Sequence, residues 1–409
     1  MNWAFLLQPE FARLHRLMAR TYQTARREPG TRFDFDSMLL RPELYTAAAA
    51  MFRQAKGRNT PGQDGLVFDD LSDQALADIV SSLVNAIATG TYAPDQLRWV
   101  PIRQGEKDRF VAKLTVRDAL LNRALLLLLT PICDADLPGN SYGYRRGITT
   151  AHALEDLRLF LEHAAAVPWF VRADIRRYFD EIPHVLLLRR LRRRLRGGRL
   201  LRLLERQLRA WARVPGRGVP QGAPLSPVLA NWFLSPLDQF YAGRTTVAYL
   251  RYADDLLIVG TGGLEKARAA EQELQATLED FGLRANKKKS RVTTLEEGTQ
   301  FLGGRITVQD HRVEISVTDQ SLERLERKIA EVAQEEKDQK GQQKKLQSVM
   351  AGWVGAHRFD TEAGQRAQKI VERTTGHRLA WRHRRSTTSG SGRRVPSWTK
   401  PNTRRETYE

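Results

Sequence analysis

Two adjacent carboxylates inside a short apolar run constrain this chain more than any other feature. The run is Leu250-Arg251-Tyr252-Ala253-Asp254-Asp255-Leu256-Leu257-Ile258-Val259. Flanks rich in Leu, Ile, Val and Tyr read as two strands meeting at a tight turn that carries Ala253, Asp254 and Asp255. Two anions at the tip of a buried hairpin repel each other and resist desolvation. A divalent cation removes that conflict, and hard carboxylate oxygens suit Mg²⁺. The competing reading is a solvated turn with two ordinary aspartates, and the run alone leaves both open.

A second stretch, Trp169-Phe170-Val171-Arg172-Ala173-Asp174-Ile175, again reads as an apolar strand ending in Asp. Asp174 beside Asp254 and Asp255 would build a site for two metals about 4 Å apart, one activating an attacking oxygen and the other stabilising a leaving one. Read alone, Asp174 could equally cap a helix N-terminus.

Three blocks carry a family resemblance. Tyr252-Ala253-Asp254-Asp255 resembles the signature box of reverse transcriptases. Phe170 to His184, with Arg176-Arg177-Tyr178-Phe179-Asp180 inside it, is similar to their first catalytic block. Gly218-Val219-Pro220-Gln221-Gly222-Ala223-Pro224-Leu225-Ser226-Pro227 resembles the block between the two. Order and spacing match, and the nearest likeness is to the bacterial group II intron-like branch, covering about residues 57 to 304.

Composition agrees with a polyanionic partner. The 409 residues carry a formal net charge of +19. Such a charge bears on association rather than fold. The single cysteine, Cys133, excludes an internal disulfide framework and a cysteine-based zinc site. The apolar stretch from Ala124 to Ile132 falls far short of the roughly 20 residues that span a bilayer. The N-terminal residues lack a basic start and a long apolar run, so a cytoplasmic protein without membrane contact is expected.

Residues 1 to about 56 read as helices, with Leu39, Leu40, Leu44, Ala48 and Phe52 near helical spacing. Gly57 to Gly65 is a Gly/Pro loop whose Arg58 could meet a template backbone. Leu97 to Val111 reads as a basic hairpin. By resemblance Arg103 and Arg109 hold the triphosphate of the incoming nucleotide, with Lys107 a rival; guanidinium forks suit phosphate. Thr115 to Ile132 is a leucine-rich helix. Asn140 to Gly147 resembles a family block in which Tyr144 and Arg145 can stack on bases and grip phosphates. Phe179, five residues after Asp174, matches the aromatic that blocks a ribose 2′-hydroxyl. Twelve arginines between Arg189 and Arg217, against one acid, Glu205, suggest a phosphate track. Gln221 is expected to touch the incoming nucleotide and template. Gly282 to Ser290 matches a family block in which Lys289 lies near metal-bound phosphates. Phe301-Leu302-Gly303-Gly304 resembles the primer-grip turn. Residues 319 to about 380 look like thumb helices, broken at Gly341, and the segment after Arg382 is basic and of disordered composition.

The resemblance implies an α+β right-hand polymerase with fingers, a palm sheet of RRM-like type and a helical thumb. The expected division is a helical extension (1–56), fingers and palm (57–304), thumb (305–381) and a basic tail (382–409). It implies an RNA-directed DNA polymerase using two Mg²⁺ ions, with Mn²⁺ as a substitute, on an RNA template, a DNA or RNA primer and dNTPs. Metal ligation falls to Asp174, Ile175, Asp254 and Asp255; nucleotide binding to Arg103, Arg109, Phe179, Gln221 and Lys289; nucleic-acid contact to Arg58, Tyr144, Arg145, Tyr252 and Gly303. Only a short segment stands where intron proteins carry a maturase region, and retron marks are not evident. The expected setting is a stand-alone enzyme in a CRISPR adaptation or phage-defence locus, with CRISPR adaptation proteins or a dedicated non-coding RNA as further partners. The rivals are a template-independent nucleotidyl transferase and a catalytically silent nucleic-acid-binding scaffold.

Overall fold

The computed structural model describes residues 4–55, 57–104, 107–164, 168–309, 312–336, 338–376 and 379. Helices α1 (Ala12–Arg27), α2 (Pro42–Arg53) and α3 (Asp73–Thr89) precede the antiparallel hairpin β1 (Arg98–Gln104) and β2 (Lys107–Lys113). Then come α4 (Val116–Asp136), α5 (Thr150–Glu162), β3 (Pro168–Asp174), a single turn α6 (Tyr178–Glu181), α7 (His184–Arg194), α8 (Arg199–Trp211) and α9 (Ser226–Ala242). The hairpin around Asp254 is β4 (Val247–Tyr252) and β5 (Asp255–Thr261), followed by α10 (Leu264–Asp280) and β6 (Arg291–Thr294). A three-stranded sheet of β7 (Thr299–Phe301), β8 (Gly304–Gln309) and β9 (Arg312–Val317) leads into α11 (Asp319–Glu335), α12 (Gln339–Ala356) and α13 (Ala363–Thr375).

Continuous apolar runs in β3, β4 and β5 give the four-stranded sheet two buried faces. Its strand order is β4-β5-β3-β6, all antiparallel. With α6–α9 between β3 and β4 and α10 between β5 and β6, this is the β-α-β-β-α-β arrangement of RRM-like folds. Successive side chains point to opposite faces. Trp169, Val171, Ala173, Leu256 and Ile258 enter one core with α4 and α9. Phe170, Leu250, Leu257 and Val259 enter a second core with α5 and the three-stranded sheet. Asp174 and Asp255 are cross-strand partners. They therefore share the second face, at the strand ends where its apolar cover stops.

Helix α4 is buried from Val116 to Cys133 apart from Arg117, because leucine occupies almost every face. Thr115 caps it by accepting the Asp118 N–H. Helices α1, α2 and α9 pack around it. The helix runs through Pro131 to Asp136, beyond the expected end at Ile132.

The helix break expected at Gly341 and the Lys/Gln-rich sequence around it falls between α11 and α12, ahead of Gly341 itself. Asp338 accepts the Gly341 N–H at 2.7 Å, so the glycine sits in the first turn of a capped helix. The arginines of 189–217 are also less free than their density suggests. Arg194 is buried against Asp136, Thr31 O and Ala25 O. Arg190 lies 4.3 Å from the centroids of both Phe233 and Phe281. Arg206 donates to Gly90 O and Tyr92 O. These arginines have protein partners, whereas Arg189, Arg192, Arg193, Arg196, Arg202, Arg209 and Arg213 of the same run are exposed.

Candidate active site

A cleft of about 1610 Å³ opens at the end of the four-stranded sheet, lined by Asp174, Asp254, Phe179, Gln221, Tyr144 and Lys289 among others. The turn between β4 and β5 puts Ala253 in the left-handed region (φ 60°). That conformation is costly for a residue with a Cβ, and it aims Asp254 at the cleft. The Ile175 N–H donates to Asp254 O at 2.9 Å, and the Asn286 N–H donates to Asp174 O at 2.7 Å. Main-chain bonds therefore stitch both carboxylate-bearing segments together.

Beneath the turn lies a charge network that sequence reasoning missed. Arg251 is fully buried and donates to Asp238 through Nε (2.7 Å) and Nη2 (2.5 Å), to Asn231 Oδ1 (2.9 Å), to Ser141 Oγ (2.7 Å) and to Ala253 O (3.2 Å). Burial alone would lower the Arg251 pKa, but Asp238 outweighs it and keeps the guanidinium charged. A charged residue two positions before the turn, in an otherwise apolar strand, was the available signal.

Asp255 does not line the main cleft. It lines a second cleft of about 690 Å³ with Arg172, Leu302, Gly303, Trp353 and His357. Arg172 donates to both of its carboxylate oxygens at 3.2 Å. Burial pushes the Asp255 carboxyl above its usual range against the pull of Arg172, and Asp254 and Asp174 add to the rise. Lys289 Nζ donates to Asp174 Oδ2 at 2.7 Å. Asp174 caps no helix.

Among the described residues, no three acidic, histidine or cysteine side chains converge as a ready metal cage. The donor chemistry still fits a hard divalent cation. Asp174 and Asp254 line the main cleft and both raise the Asp255 carboxyl behind them, while Lys289 pairs with Asp174 and Arg172 with Asp255.

The other expected residues divide clearly. Gln221 and Gly222 line the main cleft, and Gln221 O accepts the Ala112 N–H at 2.6 Å, tying that turn to β2. Gly222 has φ +107°, and a Cβ there would meet Ala112 O at 2.5 Å. Ile175 contributes main chain at the cleft, with its side chain buried. Tyr252 is half-buried against the second core and does not line either cleft. Arg58 pairs with Asp69 at 2.6 Å, away from the cleft. Arg145 turns inward, donating to Pro138 O and Ser141 O at 2.9 Å, so no exposed guanidinium remains for phosphate. The side chains of Arg103, Lys107 and Arg109 lie outside the described residues; their backbones pair in β1 and β2. Within the arginine run, Arg213 stands on the cleft wall, its guanidinium 5.1 Å from the Trp99 ring and 6.0 Å from Phe110, both also lining the cleft.

The fold and site define a palm-type nucleotide polymerase. Residues 103–306 match the family described as reverse transcriptase (RNA-dependent DNA polymerase). Protein YkfC of Escherichia coli K12 is 30% identical over 311 residues, covering 66% of this chain and 81% of that protein. The group II intron-encoded protein LtrA of Lactococcus lactis is 29% identical over 210 residues, 49% of this chain but 34% of its own length. The retron Ec86 reverse transcriptase of E. coli is 41% identical over 78 residues, 18% of this chain and 24% of that protein. The chain belongs to the reverse transcriptase family, the RNA-directed DNA polymerase class of nucleotidyltransferases, with group II intron-encoded and retron enzymes among its relatives. Among the described residues no helix is long and apolar enough to cross a membrane.

Proposed function

We propose that this chain extends a primer 3′-end with dNTPs on an RNA template. The observation that carries this reading is the pairing of Asp174 and Asp254 on one cleft wall, fixed by the Ile175 N–H to Asp254 O bond, beside Phe179 and Gln221. Asp174, Asp254 and the Ile175 main chain, with Asp255 behind them, would hold two Mg²⁺ or Mn²⁺ ions. Bound divalent ions supply Lewis-acid activation of the primer hydroxyl and charge neutralisation of the triphosphate. The chain's own residues do the rest. Phe179 lies under the sugar and excludes a 2′-hydroxyl. Gln221, anchored to β2, supports the incoming nucleotide, and Lys289, Arg103 and Arg109 balance phosphate charge. Attack of the primer oxygen on the α-phosphorus forms the phosphodiester and releases pyrophosphate. Trp99 and Phe110 with Arg213 offer ring faces and a cation to template bases. The second cleft, with Arg324, Lys328 and the primer-grip turn at Gly303, borders the product duplex.

In domain terms the proposal assigns fingers to about 57–168 and 185–230, the palm to the four-stranded sheet, and the thumb to 305–381. A cytoplasmic setting in CRISPR adaptation or phage defence, with its proteins or a dedicated RNA as partners, is the further extension of the proposal.

The deciding measurement is primer extension with Mg²⁺ on poly(rA)/oligo(dT), on the DNA equivalent and without template, beside an Asp254→Ala/Asp255→Ala double variant. Templated incorporation lost in the variant supports the reading. Tailing without template would assign an untemplated transferase. No incorporation, with equal salt-sensitive RNA binding by both proteins, would assign a scaffold.

A further inference from the structure

We infer that Tyr144 is a positioning residue for sugar selection, holding the Phe179 ring against the nucleotide cleft. This rests on the proposed gate role of Phe179. The two rings meet edge to face, with centroids 6.0 Å apart and planes at 87°. Both line the main cleft. On its other side Phe179 meets Tyr178 at 5.7 Å and 72°. Tyr178 is buried and hydrogen-bonded to Ala230 O, so that contact is a fixed wall. Tyr144 is the outer support, 52% exposed on the cleft side.

Tyr144 is held there at a cost. Its φ is 59°, in the left-handed region that a bulky side chain rarely adopts. Its neighbours explain how the conformation persists. The Tyr142 N–H donates to Arg251 O at 2.8 Å, and the Arg251 N–H donates to Asn140 O at 2.9 Å, so the loop runs beside β4. Gly143 O accepts from Asn231 Nδ2 at 2.7 Å. Gly143 packs so closely on the catalytic turn that a Cβ would lie 2.5 Å from Ala253 N. The loop that presents Tyr144 is therefore registered on the same turn that carries Asp254. Gate and catalytic carboxylate share one reference point, which fixes the nucleotide sugar relative to the reacting phosphate. Strained residues that persist only because their surroundings over-determine them concentrate at functional sites.

The test is steady-state incorporation of a dNTP and its matching rNTP on one primer–template, read as the ratio of their kcat/KM values. The variants are Tyr144→Ala, Tyr144→Phe, Phe179→Val and the Tyr144→Ala/Phe179→Val double. An edge-to-face pair of ordinary strength sets the expected scale: Tyr144→Ala lowers the dNTP preference by about three- to tenfold. Tyr144→Phe, which keeps the ring, restores it. In the double variant the Tyr144 change adds little to Phe179→Val, because the ring it supports is gone. Should Tyr144→Ala prove unstable, Tyr144→Leu carries the same comparison. Equal losses for dNTP and rNTP, leaving the ratio unchanged while Phe179→Val moves it, would overturn the support role alone. A ratio insensitive to Phe179→Val would overturn the gate reading and this inference with it.

Discussion

Four non-glycine residues among those described adopt a left-handed backbone; three line the two clefts and the fourth immediately precedes Asp254. Arg177 and Tyr144 line the main cleft, Ala253 forms the catalytic turn, and Leu302 sits in the turn that borders the second cleft. Strain of this kind, roughly 1–2 kcal/mol per residue, persists only where packing enforces it. Gly143 is one enforcing contact, and it gives a direct outcome. Gly143→Ala forces the Ala253 main chain to shift, and a misplacement of about 1 Å can cost on the order of 10²-fold in rate. Primer-extension kcat is expected to fall at least tenfold on that basis, with substrate KM changed far less. Wild-type kcat in a folded Gly143→Ala protein would show that the contact has no bearing on the turn.

At the level of elements, the β4–β5 hairpin rests on a charge pair rather than on apolar packing alone. Removing one partner of a buried pair strands a charge and costs about 3–5 kcal/mol, whereas replacing both by apolar groups is often close to neutral. Asp238→Leu and Arg251→Met are therefore each expected to lower the denaturation midpoint strongly. The double variant is expected to recover part of that loss. Strict additivity of the two single effects would sink this account of the network. The strands themselves were legible from sequence, because short apolar runs rich in Leu, Ile, Val and aromatic residues flank Asp174, Asp254 and Asp255. Their sheet order followed from the family resemblance. The supports were not legible. Arg172 and Asp255 are separated by 83 residues, Arg251 and Ser141 by 110, and no local period encodes such pairings. The partners of Arg190 and Arg194 are likewise distant in sequence, coming from α1, α4, α9 and Phe281 after α10.

For the molecule as a whole, two buried carboxyls set a pH dependence of stability. Burial lifts Asp118 and Asp136 to about 6, against the pull of the Asp95 N–H and Arg117 on the first and Arg194 on the second. Their folded pKa lies above the ordinary 3.8, so between these values the folded protein holds protons that the unfolded chain has released. This contribution is full below about 4 and lost as pH rises through about 6. Asp118→Asn removes one titration; its amide oxygen can still accept either the Asp95 N–H or the Tyr92 O–H, both of which donate to the wild-type carboxylate. Lowering pH from 7 to 4.5 is expected to stabilise wild type relative to this variant by up to about 2–3 kcal/mol, read from denaturant unfolding at each pH. A difference that stays constant with pH would refute the assignment. Cys133 offers a parallel reading: it is buried in α4, and burial pushes its thiol well above the ordinary range. A thiol reagent is expected to label it only at the rate of global opening, and rapid labelling of the native protein would contradict that burial.

The central placement of α4 also sets the order in which the molecule can assemble during synthesis. Helices α1 and α2 leave the ribosome before the helix they cover, and α9, which covers another side, leaves about a hundred residues later. A nascent chain that has emerged to about residue 145 holds the leucine face that α9 covers without its partner, whereas one that has emerged beyond Ala242 has the means to close it. Stalled chains of the first length are expected to be captured by a chaperone that binds apolar segments, and those of the second length released.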